Sequence, residues 1–266
     1  MNALSRHRTR WARWTLLSAI ALPLVVMASL LVYSALERYV FGPLPAEAPL
    51  EVSVTANMWW WEVRYRHPRT GAEVVSANEL RIPVGRKVRL SLRSSDVVHS
   101  FRVPPLSGRT DIMPGQVQHL DITAWRPAVY RGECAEFTAN GISRMSLQVV
   151  AVAPEGFARW LEREAEPAHA DEGVVPALGR QAFIDHGCTA CHTVRGVSEA
   201  TGGGPDLTHV GRRLTLAAGL LDNDSAQMAH WIRHAEALKP GAGMPSYGAM
   251  PAATVQAVAV YLTGLR

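Results

Sequence analysis

The chain has 266 residues, of which 48% are hydrophobic and 19% charged, a balance typical of folded domains and not of disordered chains. Its net charge is +4, and four arginines near the N-terminus account for an excess of that size, so the charge does not indicate a nucleic-acid surface. A chain of this length can form two domains, each with its own core.

The first predicted element is an apolar segment at residues 14–36 that contains no formally charged side chain. As a helix it would span about 34 Å, enough for a hydrocarbon core of about 30 Å. A cleaved signal peptide would have a shorter apolar region, of about 7 to 15 residues. We therefore predict one transmembrane helix within residues 1–43. The arginines before it and Glu37 after it place the N-terminus in the cytoplasm and the rest of the chain outside.

The next region, residues 44–165, is rich in short β-branched or alternating segments separated by Gly, Pro, Asp and Ser. In residues 87–93 apolar and polar side chains alternate as in a half-buried strand. The same alternation places Trp59 and Trp61 in the core and Trp60 outside. The predicted strands are residues 50–55, 59–65, 79–82, 88–92, 97–103, 117–123 and 146–152. Seven short strands indicate an all-β sandwich.

Beyond the β region the apolar spacing becomes helical, with a predicted helix at residues 154–164 that closes the β domain. The polar segment 166–175 contains Pro and Gly and has no apolar period, which predicts a linker. Residues 176–266 are of a size that suits one small all-α domain. Its predicted helices are residues 178–186, 225–234 and 253–265.

A C-x-x-C-H motif, formed by Cys188, Cys191 and His192, lies in this helical domain. Two thiols at this spacing can each bond a heme vinyl group while the adjacent imidazole ligates the iron, which predicts covalent heme c. A structural zinc site would need a second ligand pair, and the one remaining cysteine, Cys134, is far upstream. Cys134 therefore has no disulfide partner in the sequence and is expected to be buried, reactive or a ligand.

Two downstream segments, Gly204-Pro205-Asp206-Leu207 and the Gly- and Pro-rich residues around Met244, resemble those of the class I cytochrome c family. This resemblance implies that His192 and Met244 are the axial ligands and that the reduction potential is relatively high. Met250, which is also followed by proline, competes with Met244. The sequence around Met244 matches the family loop better, and we expect Met250 to pack in the core.

The β region resembles subunit II of heme-copper cytochrome c oxidases, and the C-terminal domain resembles the subfamily with a fused cytochrome c. The resemblance rests on the sequence around three tryptophans at residues 59–61, on His99 with its flanking residues, and on the segment around Cys134. It implies a cupredoxin-like barrel. It also implies association with subunit I, and electrons from a periplasmic donor such as a soluble cytochrome c. One predicted span departs from the two that are usual in bacterial members.

In that family the barrel holds a dinuclear copper centre, whose ligands come from one His and a C-x-E-x-C-x-x-x-H-x-x-M loop. His99, Cys134, Glu136 and Met145 match this pattern, but Thr138 and Ile142 replace the second Cys and the second His. A threonine hydroxyl is a hard, poorly ionised substitute for thiolate, and isoleucine has no donor atom. We therefore predict that the dinuclear centre does not assemble.

Two alternatives then remain for the three matching donors of the barrel, and Glu136 is a separate case. His99, Cys134 and Met145 could pack as core residues, or could hold a single copper ion, although a second imidazole is lacking. Glu136 corresponds to a family residue near a magnesium ion at the contact with subunit I, and a solvated surface carboxylate accounts for it equally well.

These features predict the electron-transfer subunit II of a heme-copper terminal oxidase in the bacterial inner membrane, with its β and heme domains in the periplasm. The chain itself carries no oxygen-reducing site. The alternative is a stand-alone, membrane-anchored c-type cytochrome whose β domain is a scaffold and which serves another respiratory enzyme, such as a nitric oxide reductase.

Overall fold

The computed structural model describes residues 19–36, 48–134, 145–199 and 203–266, together with the backbone of residues 137–138 and 141–142. The longer strands are β1 (Leu50–Asn57), β2 (Trp60–Arg66), β3 (Glu73–Ala77), β4 (Glu79–Pro83), β5 (Val88–Ser94), β6 (His99–Arg102), β7 (Arg109–Ile112), β8 (Gln118–Ile122), β9 (Ala128–Cys134) and β12 (Ser146–Val152). The two-residue strands are β10 (Phe137–Thr138), β11 (Gly141–Ile142), β13 (Thr215–Leu216) and β14 (Leu221–Asp222). The helices are α1 (Ala19–Leu36), α2 (Pro154–Ala165), α3 (Val174–Asp185), α4 (Ser225–Leu238) and α5 (Ala252–Thr263).

Helix α1 consists of 18 apolar or uncharged residues and would span about 27 Å. Within the described ranges it is the one helix that is long and apolar enough to cross a membrane. This agrees with the predicted N-terminal apolar helix. Residues 14–18 of the predicted segment lie outside the described residues.

The β region forms two five-stranded sheets, with strand orders β3-β2-β1-β5-β8 and β4-β12-β9-β6-β7. Each sheet contains one parallel pair, β1 with β5 and β12 with β4. Strands β1, β2 and β5 alternate between buried and more exposed residues, whereas β4, β6 and β12 are buried over most of their length. Both sheets contribute to one shared core. This arrangement confirms the predicted all-β sandwich, which is cupredoxin-like.

Strand β5 illustrates how the sequence sets this core. Val88, Leu90 and Leu92 are fully buried, whereas the intervening Arg89 and Ser91 are not. Helix α2 covers one end of the sandwich. Its Trp160 ring meets the Tyr65 ring edge-on, with 5.1 Å between the ring centroids. The predicted helix at residues 154–164 is confirmed.

Two features of the β domain differ from the predictions. Strands β3, β7 and β9 were not predicted, because their apolar residues are few or lie beside the motif around Cys134. Trp59 is not in the core: it lies with Met58 in the turn between β1 and β2, where side chains no longer alternate between the faces of a sheet. Trp61 is fully buried, as predicted.

The C-terminal region has a second core, formed mainly by α3, α4 and α5. Helices α3 and α5 cross closely at Gly179, where an added Cβ atom would lie 2.1 Å from the carbonyl oxygen of Ala257. Helix α3 begins at Val174, two residues before the predicted start of this domain. In the preceding segment, His169 and the C-terminal Arg266 exchange two backbone hydrogen bonds of 3.2 and 2.9 Å.

Candidate cofactor sites

The C-x-x-C-H motif lies at the end of α3, where the chain forms a short 3-10 turn at Cys188–Ala190. The backbone N–H groups of Cys191 and His192 both donate to the carbonyl oxygen of Cys188, at 3.2 and 3.0 Å. All three motif residues line one cavity of the C-terminal domain. The turn therefore places two thiols and one imidazole around the same space.

The imidazole of His192 is held by a hydrogen bond of 2.8 Å between its Nδ1 and the carbonyl oxygen of Pro205. A carbonyl oxygen only accepts hydrogen bonds, so Nδ1 carries the proton and Nε2 keeps its lone pair. Burial lowers the pKa of His192, which favours the neutral form. A neutral ring with a lone pair on Nε2 is the form that ligates a metal.

Gly204 allows the chain to pass close to this ring. A Cβ atom at this position would lie 2.6 Å from Cε1 and 2.8 Å from Nδ1 of His192. Real Cβ contacts essentially never reach these distances. The residue before Pro205 must therefore be glycine if the Pro205 carbonyl oxygen is to reach the imidazole.

Met244 lines the same cavity and is partly buried against the second core. Met250 also lines the cavity but is more deeply buried, with 7% of its surface exposed, and belongs to that core. The position of Met250 agrees with a packing role. The choice of Met244 as an axial ligand stays a prediction.

The rest of the cavity wall fits a heme. It is mainly apolar, with contributions from Phe183, Leu207, Val210, Ile232, Val258 and Leu262. Arg213 also lines it and is half-buried, and its Nε is buried without a hydrogen-bond partner among the described residues. A porphyrin carboxylate would satisfy this atom. The donor set and the apolar wall are thus those that a covalently attached heme requires.

The β domain closes part of this cavity. Met58, Trp59, Trp60 and Asn78 line it together with the motif residues. The sequence analysis did not assign Trp59, Arg213 or Gly204 to the cavity. Gly204 could have been identified from its place in the Gly204-Pro205-Asp206-Leu207 segment. The position of Trp59 at the cavity could not, because it depends on how the two domains pack.

His99, Cys134 and Met145 lie together in the core of the sandwich. His99 begins β6, Cys134 ends β9, and Met145 directly precedes β12. The Sγ of Cys134 is 3.8 Å from Nδ1 of His99, and the backbone N–H of Cys134 donates to the carbonyl oxygen of Met145 at 3.0 Å. Each of the three is 1% exposed. We call these three residues the remnant copper site.

The second ring nitrogen of His99 is also engaged, because its Nε2 lies 2.7 Å from Oδ1 of Asp96. Burial opposes the charged imidazole, but the hydrogen bonds with Cys134 and Asp96 outweigh it and raise the pKa of His99. The pKa of Asp96 is lowered: burial acts against its charge, and hydrogen bonds from His99 and two backbone N–H groups prevail. The imidazole is therefore held at both nitrogens by protein groups.

The loop between Cys134 and Met145 is described only in part. The backbones of β10 and β11 pair, with Thr138 opposite Gly141 and Phe137 opposite Ile142. Glu136 lies outside the described residues, so its assignment to magnesium stays a prediction. In the part of the chain that the structure describes, no group of three or more His, Cys, Asp or Glu residues is placed to hold a metal ion.

Two family models match the chain. One, described as "Cytochrome C oxidase subunit II, periplasmic domain", matches residues 69–152. The other, described as "Cytochrome c", matches residues 176–266. The first match lies in the sandwich, and the second contains the C-x-x-C-H motif and Met244.

Individual proteins are similar over longer stretches. A cytochrome c oxidase subunit 2 of Alkalihalophilus pseudofirmus is 30% identical over 258 residues, which cover 95% of this chain and 72% of that protein. A quinol oxidase subunit 2 of Bacillus cereus is 29% identical over 184 residues, covering 65% of this chain and 60% of that protein. The crystal structure of the periplasmic domain of cytochrome oxidase subunit II of Bradyrhizobium japonicum covers 46% of this chain and 96% of that one, with 24% identity and a TM-score of 0.40.

A cupredoxin-like sandwich followed by a cytochrome c domain defines a two-domain electron-transfer protein. More specifically, the chain belongs to the cytochrome c oxidase subunit II family and carries a fused cytochrome c domain. It is therefore part of an oxidoreductase complex, and the predicted family is confirmed.

Proposed function

We propose that this chain is the electron-input subunit of a heme-copper terminal oxidase, with heme c bound through Cys188, Cys191 and His192 and with Met244 as the second axial ligand. The observation that carries this proposal is the shared cavity, which all four residues line. Heme c, when bound, supplies one-electron chemistry. The oxygen chemistry belongs to the catalytic subunit I.

The chain's own residues have separate tasks in this proposal. Cys188 and Cys191 fix the position of the group by covalent bonds, and the Pro205 carbonyl oxygen orients His192 through Nδ1. The apolar wall excludes water, which keeps the environment of the redox group constant during electron transfer. Arg213 would balance the negative charge of a porphyrin carboxylate.

We further propose that the chain lacks the dinuclear copper centre of its family. The supporting observation is that Thr138 and Ile142 stand at two ligand positions, which removes one thiolate and one imidazole from the family's ligand set. His99, Cys134 and Met145 then serve mainly as core residues. A single copper ion at the remnant copper site is the alternative. A magnesium ion at Glu136, where the chain meets subunit I, remains a separate prediction.

The proposed topology is a single-pass anchor in the bacterial inner membrane, with both folded domains in the periplasm. It rests on the apolar helix α1 and on the four arginines that precede it, because positively charged residues flank membrane spans mainly on the cytoplasmic side. Attachment of heme c would take place on the same side as the folded domains. The donor is then a periplasmic protein such as a soluble cytochrome c.

Purification of the tagged full chain from membranes of its natural host in mild detergent tests this function. We expect a large catalytic subunit with its own heme A or heme B to co-purify, and the complex to consume oxygen when supplied with reduced cytochrome c. Recovery of the chain alone, with heme c as its one cofactor, would instead support the stand-alone cytochrome serving another respiratory enzyme.

A further inference from the structure

The contact between the two folded domains is built around the heme cavity. The turn between β1 and β2, which contains Met58 and Trp59, faces the segment that follows α4. This segment starts with Lys239 and continues toward Met244. The residues that cover the cavity from the β domain therefore touch the loop that carries the predicted axial ligand.

Lys239 is the centre of this contact. Its Nζ donates to the carbonyl oxygen of Trp59 at 2.9 Å and to that of Ala217 at 2.7 Å, and only 4% of the residue is exposed. Fully buried lysines are rare in proteins because the ammonium group loses its hydration. Here the group bonds the β domain through Trp59 and its own domain through Ala217, so it ties three segments together.

Trp59 completes the contact in the opposite direction. Its indole Nε1 donates to the carbonyl oxygen of Pro240 at 3.1 Å. Two hydrogen bonds thus join Trp59 to residues 239–240. The Trp59 carbonyl oxygen accepts one from Lys239, and the Trp59 indole donates the other to the carbonyl oxygen of Pro240. A reciprocal pair of this kind fixes the orientation of the two segments as well as their distance.

Two further hydrogen bonds join the domains beside this pair. The backbone N–H of Ser146 donates to the carbonyl oxygen of Ala218 at 2.8 Å, and the N–H of Leu214 donates to the carboxylate of Glu79. Ala218 is 1% exposed and packs in the core of the sandwich. The interface therefore extends without a break from the cavity to Ser146, the residue that follows Met145.

We propose that Lys239 and Trp59 form a clasp that holds the cytochrome c domain against the β domain, so that the turn at Trp59 covers the heme crevice. This inference rests on the proposed function, because it assumes heme in the cavity. The covered edge of the heme is then closed to a soluble donor.

The test uses the full chain in detergent with heme attached, and compares K239M and W59F with the wild type. K239M removes both hydrogen bonds of the ammonium group, and W59F removes the indole donor while keeping an aromatic ring. Matched controls are K87M, at a mostly exposed lysine, and W125F, at a tryptophan that is 76% exposed. The first readout is the rate at which imidazole binds the oxidised heme, followed by the visible spectrum.

We expect imidazole to bind about five-fold faster to each clasp variant, since loss of one typical hydrogen bond shifts an opening equilibrium by about this factor. The two controls should bind imidazole at the wild-type rate. The double variant should be faster than either single variant, because the two substitutions remove different hydrogen bonds between the domains. A wild-type rate in W59F would overturn the proposal, even if K239M were faster, because Lys239 would then act within its own domain.

A second readout does not depend on heme. Cleavage by a glutamate-specific protease at Glu172, between α2 and α3, should be faster in both clasp variants because the domains separate more often. Unchanged cleavage would contradict the clasp. A chain that carries no heme would contradict the proposed function, while its cleavage rates would still decide whether the clasp exists.

Discussion

The heme cavity and the remnant copper site contain the same kinds of donor, namely thiol, imidazole and thioether, but differ in what surrounds them. In the cavity, His192 is held at Nδ1 alone, and its Nε2 keeps a lone pair. In the remnant copper site, Nε2 of His99 contacts the Asp96 carboxylate and Nδ1 faces the Cys134 thiol. The two sites also differ in how complete their donor sets are, because Thr138 and Ile142 leave the remnant copper site without the second thiolate and the second imidazole of a dinuclear centre.

The two regions also differ in how much open space surrounds their donor atoms. The cavity is lined by residues of both domains and remains open between its donors. His99, Cys134 and Met145 are each 1% exposed and are packed against Trp61, Phe101 and other core residues. We infer that the cavity is kept for a cofactor, whereas the remnant copper site has become part of the protein core.

The largest effect is expected for H192A. If the cytochrome c domain carries the chain's one redox group, loss of this ligand removes electron transfer through the subunit. The measurement is oxygen consumption by the purified complex with reduced cytochrome c as donor. Substantial residual flux would show that the β domain still carries a working metal centre.

The next prediction concerns which of the two methionines of the cavity is the axial ligand. In M244L a thioether ligand is lost, and the reduction potential should fall by a sizeable part of the roughly 0.8 V range that axial ligands span. M250L is the matched control, since an apolar exchange of similar volume in a core costs little. Redox titration of both variants decides the assignment. A normal potential in M244L together with a lowered one in M250L would reverse it.

A smaller effect is expected at Gly204. In G204A the new methyl group would collide with the His192 ring, so the imidazole must shift, at a cost of about 1–3 kcal/mol in the free energy of unfolding. G243A is the control, because a Cβ atom there has no neighbour within 4 Å among the described residues. Thermal unfolding and the heme spectrum should change in G204A alone. Equal behaviour of the two variants would argue against the close approach.

A separate effect concerns the pH dependence of stability at the clasp. Burial lowers the pKa of Lys239 in the folded chain to about 7 from an ordinary 10.5. Between these pH values the unfolded chain binds a proton that the folded chain does not, so the free energy of unfolding rises with pH. Below about pH 7 both states are protonated and this contribution is constant.

Melting temperatures of the wild type and K239M across this pH window measure the contribution. The wild-type curve should rise relative to that of K239M, while K87M, which changes an exposed lysine, should follow the wild type. Parallel curves for the wild type and K239M would show that burial of Lys239 has no effect on its titration.

The sequence predicted much of the fold because its periodicity is strong where the core is simple. The alternation in residues 87–93 predicted β5, and the spacing of Phe157, Trp160 and Leu161 predicted α2. Strands β7 and β9 were missed because their residues are mostly polar or lie beside a ligand motif. Trp59 was misplaced because an alternation rule fails at a turn.

The candidate heme site was predictable as a set of donors, since the C-x-x-C-H spacing is local in sequence. Its surroundings were not, because they depend on contacts between distant segments. Lys239 and Trp59 are separated by 180 residues, and nothing in the sequence around either one indicates the other. The same holds for Asp96 and Cys134, which meet at His99 only because β6 and β9 are neighbours in one sheet.

We have proposed that this subunit delivers electrons through heme c without a dinuclear copper centre. The test is the copper content of the purified complex relative to its heme c, together with electron paramagnetic resonance of the oxidised form. We predict no copper beyond that bound by the catalytic subunit and no signal from a thiolate-bridged copper pair. Two additional copper ions per heme c, with a thiolate-bridged signal that is lost in a C134S variant, would contradict the proposal, whereas one additional ion without that signal would support the single-copper alternative.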